Sequence, residues 1–332
     1  MLRVFRKREA RPEADGDAER PAKPRLSDRL QSWLDGTDEK EPEVRGARAR
    51  RMLSAVPDEQ PAASAAEAYR AQSLADDAPS GVQTHLQERL YGEGFALPGG
   101  ALFALELADA VAIGGSARVL DLTAGLGGGV RAIAEEYDIR VEGLEPNSHL
   151  AEHGMVLSAR SGLGTQAPIT AYDPTTVSLS EQSFDVVILR ERLYAIPEKV
   201  QILDIARRAL VPGGQLLLID FVVDADQQAH ADVLDAWRAV EPESVDPWTW
   251  TEYEDYLQAN DLDIEALDDM SRHYRQAVLQ DWARFAGSLT RAELTPEFFD
   301  AIAAEGTIVD RRLKALGSGA LAYLRIVATA KA

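Results

Sequence analysis

The rhythm of apolar positions changes along this chain, and the change divides it. From about residue 81, short apolar runs alternate with stretches whose apolar residues recur every three or four positions. The runs are Ala117–Leu122, Ile139–Leu144, Ile169–Tyr172, Phe184–Leu189 and Gln215–Val222, and their length and composition predict strands. The intervening stretches Val130–Tyr137, Asn147–Arg160 and Lys199–Leu210 have helical spacing. Strands separated by helices imply βαβ units and a parallel sheet. Beyond Val222 an acidic, tryptophan-containing helical stretch runs to Asn260. Leu262–Leu267 and Ala320–Thr329 then read as two last strands with helices between them. The expectation is one α/β domain over residues 81–332, with a helical insertion after the fifth strand.

Residues 1–80 follow no such rhythm. They hold seven of the 16 prolines but only three aromatic residues, Phe5, Trp33 and Tyr69. So little apolar surface does not offset the entropy of ordering the chain, which predicts a disordered N-terminal tail. Within it, Leu26–Leu34 has helical spacing behind Ser27 and reads as a transient helix, and the alanine-rich stretch 61–78 reads as a linker. The start, Met1 to Arg8, is basic with no apolar run after it, unlike a secretory signal. No stretch reaches the ~18 apolar residues of a membrane span. The expected location is cytoplasmic, with contact between the basic start and an anionic membrane surface as a secondary expectation.

Charge changes the picture of partners. The net charge is −20, yet residues 1–80 carry 15 Lys/Arg against 16 Asp/Glu, so residues 81–332 hold nearly all the excess. That field repels phosphate backbones and argues against a nucleic-acid partner, whereas a small cationic or zwitterionic substrate is easier to accept. The chain contains no cysteine, which removes disulfides, thiolate metal sites and a cysteine nucleophile from consideration. His149 and His153 have two-ligand metal spacing, but no third ligand is evident, so they read as a solvated helix face and no metal is expected.

The chemistry concentrates in Val119-Leu-Asp-Leu-Thr-Ala-Gly-Leu-Gly-Gly-Gly129, which follows a strand and opens a helix. Gly125 and Gly127 let the backbone turn tightly and approach a ligand closely. The helix start then presents amide hydrogens and partial positive charge. Eighteen residues past Gly127, Glu145 closes the second strand in VEGLEPN, where a carboxylate can accept both hydroxyls of a ribose. A dinucleotide fold wants a third glycine at position 130, which is Val130. Asp121, four residues before Gly125, would repel a diphosphate but would accept a ligand bearing an amino group and a sulfonium. S-adenosylmethionine is therefore favoured over NAD.

LDLTAGLGG resembles the first motif of class I S-adenosylmethionine-dependent methyltransferases, with Thr123 where glycine is common. Glu145, followed by Pro146, is similar to that family's ribose-binding acid, and Asp173 in AYDP to its adenine-side acid. Val211-Pro-Gly-Gly214 before QLLLID looks like the turn into its fifth strand. The resemblance spans about residues 85–330. It implies a Rossmann-like seven-stranded methyltransferase sheet with helices on both faces, and S-adenosyl-L-methionine as cofactor.

Two further stretches resemble phosphoethanolamine N-methyltransferases and their bacterial relatives. Tyr91-Gly-Glu-Gly-Phe-Ala-Leu-Pro-Gly-Gly100 is similar to the segment that lies over the methionine end of the cofactor in that family. There Gly99 and Gly100 can offer amides to a carboxylate, while Tyr91 and Phe95 exclude water. Leu189-Arg-Glu-Arg-Leu-Tyr-Ala-Ile-Pro-Glu-Lys199 resembles the stretch leaving the family's fourth strand. Arg190 takes the place of a cofactor-contacting arginine and Glu191 that of a substrate-side aspartate. The family's histidine falls on Ala195.

The resemblance thus implies that Tyr91, Gly99, Gly100, Asp121, Thr123, Gly125, Gly127, Glu145, Pro146, Asp173 and Arg190 bind the cofactor. Glu191 and the neighbouring Tyr194 are the candidates on the catalytic side. Trp248 and Trp250 could pack on an alkylated nitrogen, although helix packing is the favoured role for both. Ser271, in the stretch Asp269–Arg275, could cap a helix. The expected function is methyl transfer to a small-molecule nitrogen, carbon or oxygen, an amine among them. One alternative is a catalytically silent cofactor-binding module whose tail recruits a partner, suggested by Ala195, Thr123 and the long tail. The other is an NAD-dependent oxidoreductase, which Val130 and Asp121 speak against.

Overall fold

A computed structural model describes residues 79–196 and 199–331. The expected tail, the Leu26–Leu34 helix, the linker at 61–78 and the basic start lie outside the described residues, as do Pro197 and Glu198.

In chain order the elements are α1 (Pro79–Tyr91), α2 (Gly100–Ala108), β1 (Val119–Asp121), α3 (Gly128–Tyr137), β2 (Val141–Glu145), α4 (Ser148–Arg160), β3 (Ile169–Ala171) and β4 (Phe184–Arg190). They continue with α5 (Lys199–Ala209), β5 (Leu210–Val223), α6 (Ala231–Arg238), α7 (Trp250–Ala259), β6 (Leu262–Asp269), α8 (Ser271–Ser288), α9 (Pro296–Ser318) and β7 (Leu321–Ala330).

These strands form one seven-stranded sheet in the order β3-β2-β1-β4-β5-β7-β6. Strands β1 to β5 pair in parallel, and β7 runs antiparallel between β5 and β6. This is the Rossmann-like methyltransferase sheet expected from the sequence. The runs at β1 and β4 form strands whose successive residues bury on opposite faces of the sheet, whereas the edge strand β3 buries only Ile169. On β4, Val186 and Ile188 join one core, while Val187 and Leu189 join the other. Strand β5 begins at Leu210, earlier than its apolar run, because Leu210 pairs with Phe184 before a bulge.

Helices α2 and α3 pack one face of the sheet, and α5 and α7 pack the other. Helix α6 follows β5 as expected; a longer pair, α8 and α9, lies between β6 and β7. That pair packs on α1 through a separate cluster of Leu86, Leu90, Tyr91, Phe285 and Phe298. The packing sets α8 beside the glycine-containing segment that joins α1 to α2. Ser271 is the first residue of α8 rather than its cap, and its hydroxyl accepts from the Tyr323 amide of β7 (2.9 Å). Among the described residues, no helix is long and apolar enough to cross a membrane.

Candidate active site

Strand β1 lies where the strand order reverses, with β2 on one side and β4 on the other, and ligands of open α/β sheets sit beyond the carboxyl ends of strands at such a point. It ends on Asp121. The buried Asp121 carboxylate accepts from the Thr123 amide (2.8 Å) and hydroxyl (3.1 Å) through one oxygen. The Thr123 hydroxyl in turn accepts from the Arg190 amide at the end of β4 (2.8 Å), tying the ends of two adjacent strands together. A glycine at 123 could not make this link. Burial pushes the Asp121 pKa up to about 6, against the opposing pull of the Thr123 hydrogen bonds.

The turn then closes on α3. Gly127 caps the helix in a left-handed conformation (φ 76°), which a side chain would strain. At the end of β2, Glu145 accepts from the Gly125 amide (2.8 Å) and, through its other oxygen, from the Asn147 amide (2.9 Å). Burial raises its pKa as well. Asp121 and Glu145 thus flank the glycine turn from neighbouring strands, both buried.

A cavity of about 60 Å³ opens against this turn. Asp121, Thr123, Gly125 and Arg190 supply its polar wall; Leu107, Ile188 and Ile219 belong to its apolar one. Gly94, Phe95, Ala96 and Leu97 line it from the segment between α1 and α2. Phe95 lies so close to α3 that a Cβ at Gly128 would collide with its ring (2.5 Å) and with the Gly94 carbonyl. Gly128→Ala is expected to push this segment outward, costing about 1–3 kcal/mol of stability. A urea titration measures that cost.

The Arg190 guanidinium joins the cavity to a polar cluster beneath it. It donates to the Pro98 carbonyl (3.1 Å) and the Tyr323 hydroxyl (3.3 Å), pairs with Glu191 (3.3 Å), and lies over the Phe103 ring (5.3 Å to the centroid). The Tyr323 hydroxyl donates to Glu191 at 2.6 Å. Glu191 holds a left-handed conformation (φ 51°), uncommon for a residue with a side chain. Strain of this kind persists only where the surroundings impose it, and here Arg190 and Tyr323 do so.

Other candidates lie away from the cavity wall. Tyr194 sits in a 3₁₀ turn and faces the core, edge-on to Phe221 (5.2 Å), with its hydroxyl accepting from Arg312 (3.0 Å). Burial raises its pKa, which makes it a poor base near neutrality. Ala195, in the same turn, is also buried. The exposed Asp173 accepts from the Thr175 hydroxyl (2.7 Å) and amide (2.8 Å), bonds that lower its pKa and keep it ionised. Pro146 is half-buried behind Glu145. The Tyr91 hydroxyl donates to Glu305 (3.1 Å). The Gly99 amide donates to Asp281, and a Cβ added at Gly100 would lie 3.0 Å from the Tyr91 carbonyl oxygen. Trp248 packs edge-on to Tyr253 (5.1 Å), and Trp250 joins the same core, the packing role favoured from sequence. His149 is exposed, whereas His153 is half-buried and lies 3.5 Å from Glu88.

Sequence reasoning missed three contributors: Tyr323, Asp281 and Arg312. Each acts through a partner more than a hundred positions away, and no local pattern marks it.

Comparison with known proteins agrees with this geometry. Residues 98–267, slightly more than half of the chain, match a family model described as a methyltransferase domain. Phosphoethanolamine N-methyltransferase 1 of Arabidopsis thaliana is 29% identical over 134 residues, covering 40% of this chain and 27% of that enzyme. The chain therefore spans about a quarter of that relative's length. The 27-O-demethylrifamycin SV methyltransferase of Amycolatopsis mediterranei is 27% identical over 173 residues, covering 51% of this chain and 62% of that one. In fold, the chain is similar to phosphoethanolamine N-methyltransferase 2 of Haemonchus contortus, solved in complex with S-adenosyl-L-methionine. That likeness has a TM-score of 0.64 at 17% identity, over 78% of this chain and 58% of that one. With the family match, the sheet order and the acid-flanked glycine turn in agreement, the chain belongs to the class I S-adenosylmethionine-dependent methyltransferases.

Proposed function

We propose that this chain moves a methyl group from S-adenosylmethionine to a small-molecule acceptor, and that residues 81–332 carry the reaction. The observation that supports it most is the convergence of Asp121, Thr123, Gly125 and Arg190 on one cavity, with Glu145 hydrogen-bonded to the same turn. Asp121 would hold the cofactor's amino group and Glu145 its ribose hydroxyls, with Asp173 at the adenine side. The acidic pair suits a cationic nucleoside and disfavours a diphosphate, which argues against NAD. When bound, S-adenosylmethionine supplies a methyl group on a positively charged sulfur. The protein's part is alignment and exclusion of water, which the segment carrying Phe95 performs by covering the cavity. An amine is the acceptor class we favour, because the buried Glu191 carboxylate sits directly behind Arg190, which lines the cavity. The acidic domain argues against nucleic acid, and a cytoplasmic location goes with the absence of cysteine.

Isothermal titration with S-adenosylhomocysteine tests the cofactor reading, with micromolar affinity expected; tighter binding of NADH would overturn it. A pH dependence is also expected. The cofactor's ammonium needs an ionised Asp121, so affinity should fall below about pH 6 by up to about tenfold per unit, and Asp121→Asn should flatten the profile. For folding the sign is reversed. A carboxyl whose folded pKa is raised stabilises the native state at low pH, and that contribution is lost as pH climbs from the ordinary carboxylate range to about 6.

The buried Ala195 favours a second reading, a module that binds the cofactor without turnover. Acceptors that arrive protonated need a base, and Tyr194 faces away. Release of labelled methyl groups to extracted small metabolites would dismiss that reading.

A further inference from the structure

The peptide unit between Pro98 and Gly99 is gripped at both ends. Its carbonyl accepts from Arg190, whose guanidinium lines the cavity (3.1 Å). Its amide donates in the opposite direction, to Asp281 on α8 (2.7 Å). Asp281 is 3% exposed, and its second oxygen accepts from Arg284 (2.8 Å), which also donates to the Leu90 carbonyl (2.8 Å). Gly99 has φ 86° and ψ −5°, the values of the third residue of a type II turn, with proline in the favoured second place. Rotating that one peptide unit by about half a turn converts type II to type I geometry with little movement of the flanking chain. Only glycine occupies both states readily at position 99.

We infer that the Pro98–Gly99 peptide is a two-position switch that recognises the ligand's carboxylate, with Asp281 holding the position seen here. This rests on the cofactor reading above. In the observed position the Pro98 carbonyl oxygen is turned to the Arg190 guanidinium at the cavity wall, where it repels a carboxylate and occupies one arm of that arginine. In the rotated position the Gly99 amide is turned to the same side and the Arg190 arm is released. Two donors then converge on one carboxylate, a charge-assisted arrangement. Asp281 and the ligand carboxylate compete for the same N–H, so Asp281 sets how strongly binding depends on that group. Burial raises the pKa of Asp281, so its hold on the amide carries a desolvation cost that weakens it as a competitor.

Titration of the full chain with S-adenosylmethionine and with its decarboxylated analogue, which keeps the amine, separates the contributions. Removing the competitor in Asp281→Ala should tighten S-adenosylmethionine binding about tenfold, the scale of one charged hydrogen bond, and leave the analogue unchanged. Asp281→Asn, which keeps the shape, should move the same way by less, and it serves if the alanine variant melts too early to measure. Equal tightening for both ligands, no change, or weaker S-adenosylmethionine binding would each overturn the switch. Failure of the unaltered chain to bind either compound would instead overturn the cofactor reading.

Discussion

Glu145→Ala should weaken S-adenosylhomocysteine binding about a hundredfold, a loss near 2.7 kcal/mol. The estimate follows from the two charge-assisted hydrogen bonds proposed between this carboxylate and ribose hydroxyls, each worth about 1.5–3 kcal/mol, less what water recovers in the enlarged space. The same carboxylate also accepts from the Gly125 and Asn147 amides, so its removal loosens the turn as well as the ligand. Glu145→Gln separates these effects: its neutral oxygen can still accept one amide but holds the ribose less well. Calorimetry on the three proteins should rank them Glu, Gln, Ala. Unchanged affinity in the alanine variant would remove Glu145 from the site.

Arg312→Ala should be the most destabilising substitution considered, at about 3–5 kcal/mol, because it leaves a buried carboxylate without its counter-ion. Arg312 binds Glu241 through two nitrogens, at 2.6 Å each. The Glu241 side chain is 1% exposed and also accepts from the Trp237 indole. Arg312 further donates to Tyr194 and lies over the Phe221 ring (5.6 Å). A chemical denaturation midpoint reads the cost. Replacing both partners by apolar residues of similar size, Arg312→Met with Glu241→Leu, should recover much of it, since no unpaired charge then remains. The result bears on function because this pair fixes Tyr194 and the 3₁₀ turn that follows Glu191.

What the sequence revealed follows from the range over which its signals act. Strands β1, β4 and β5 were legible because an apolar run records burial on both faces of a central strand, a property of adjacent residues; β3, at the sheet edge, buries only Ile169. The glycine turn was legible because Asp121, Gly125 and Gly127 lie within seven positions. Glu145 was legible because one βα unit sets its distance. Thr123 looked like a departure from glycine, yet its hydroxyl joins β1 to β4. Tyr194 was chosen as a neighbour of Glu191, but the left-handed backbone at Glu191 and the 3₁₀ turn rotate its ring into the core, which apolar spacing does not encode. The link between Asp281 and Gly99 crosses 182 positions, and the link between Arg312 and Tyr194 crosses 118. Contacts that distant leave no periodic trace, so the polar cluster came only from the packed structure.

The place of β7 in the sheet has a consequence for synthesis. Nine residue pairs zip it to β5 and seven more to β6, so the seventh strand to be made is inserted between two made earlier. Tyr323, which fixes Glu191 and Arg190, arrives with it. While Leu321–Ala330 is still inside the ribosome, the nascent chain has an open seam beside β5 and an unclamped arginine. The cavity beside the glycine turn therefore cannot take its final shape until those residues emerge.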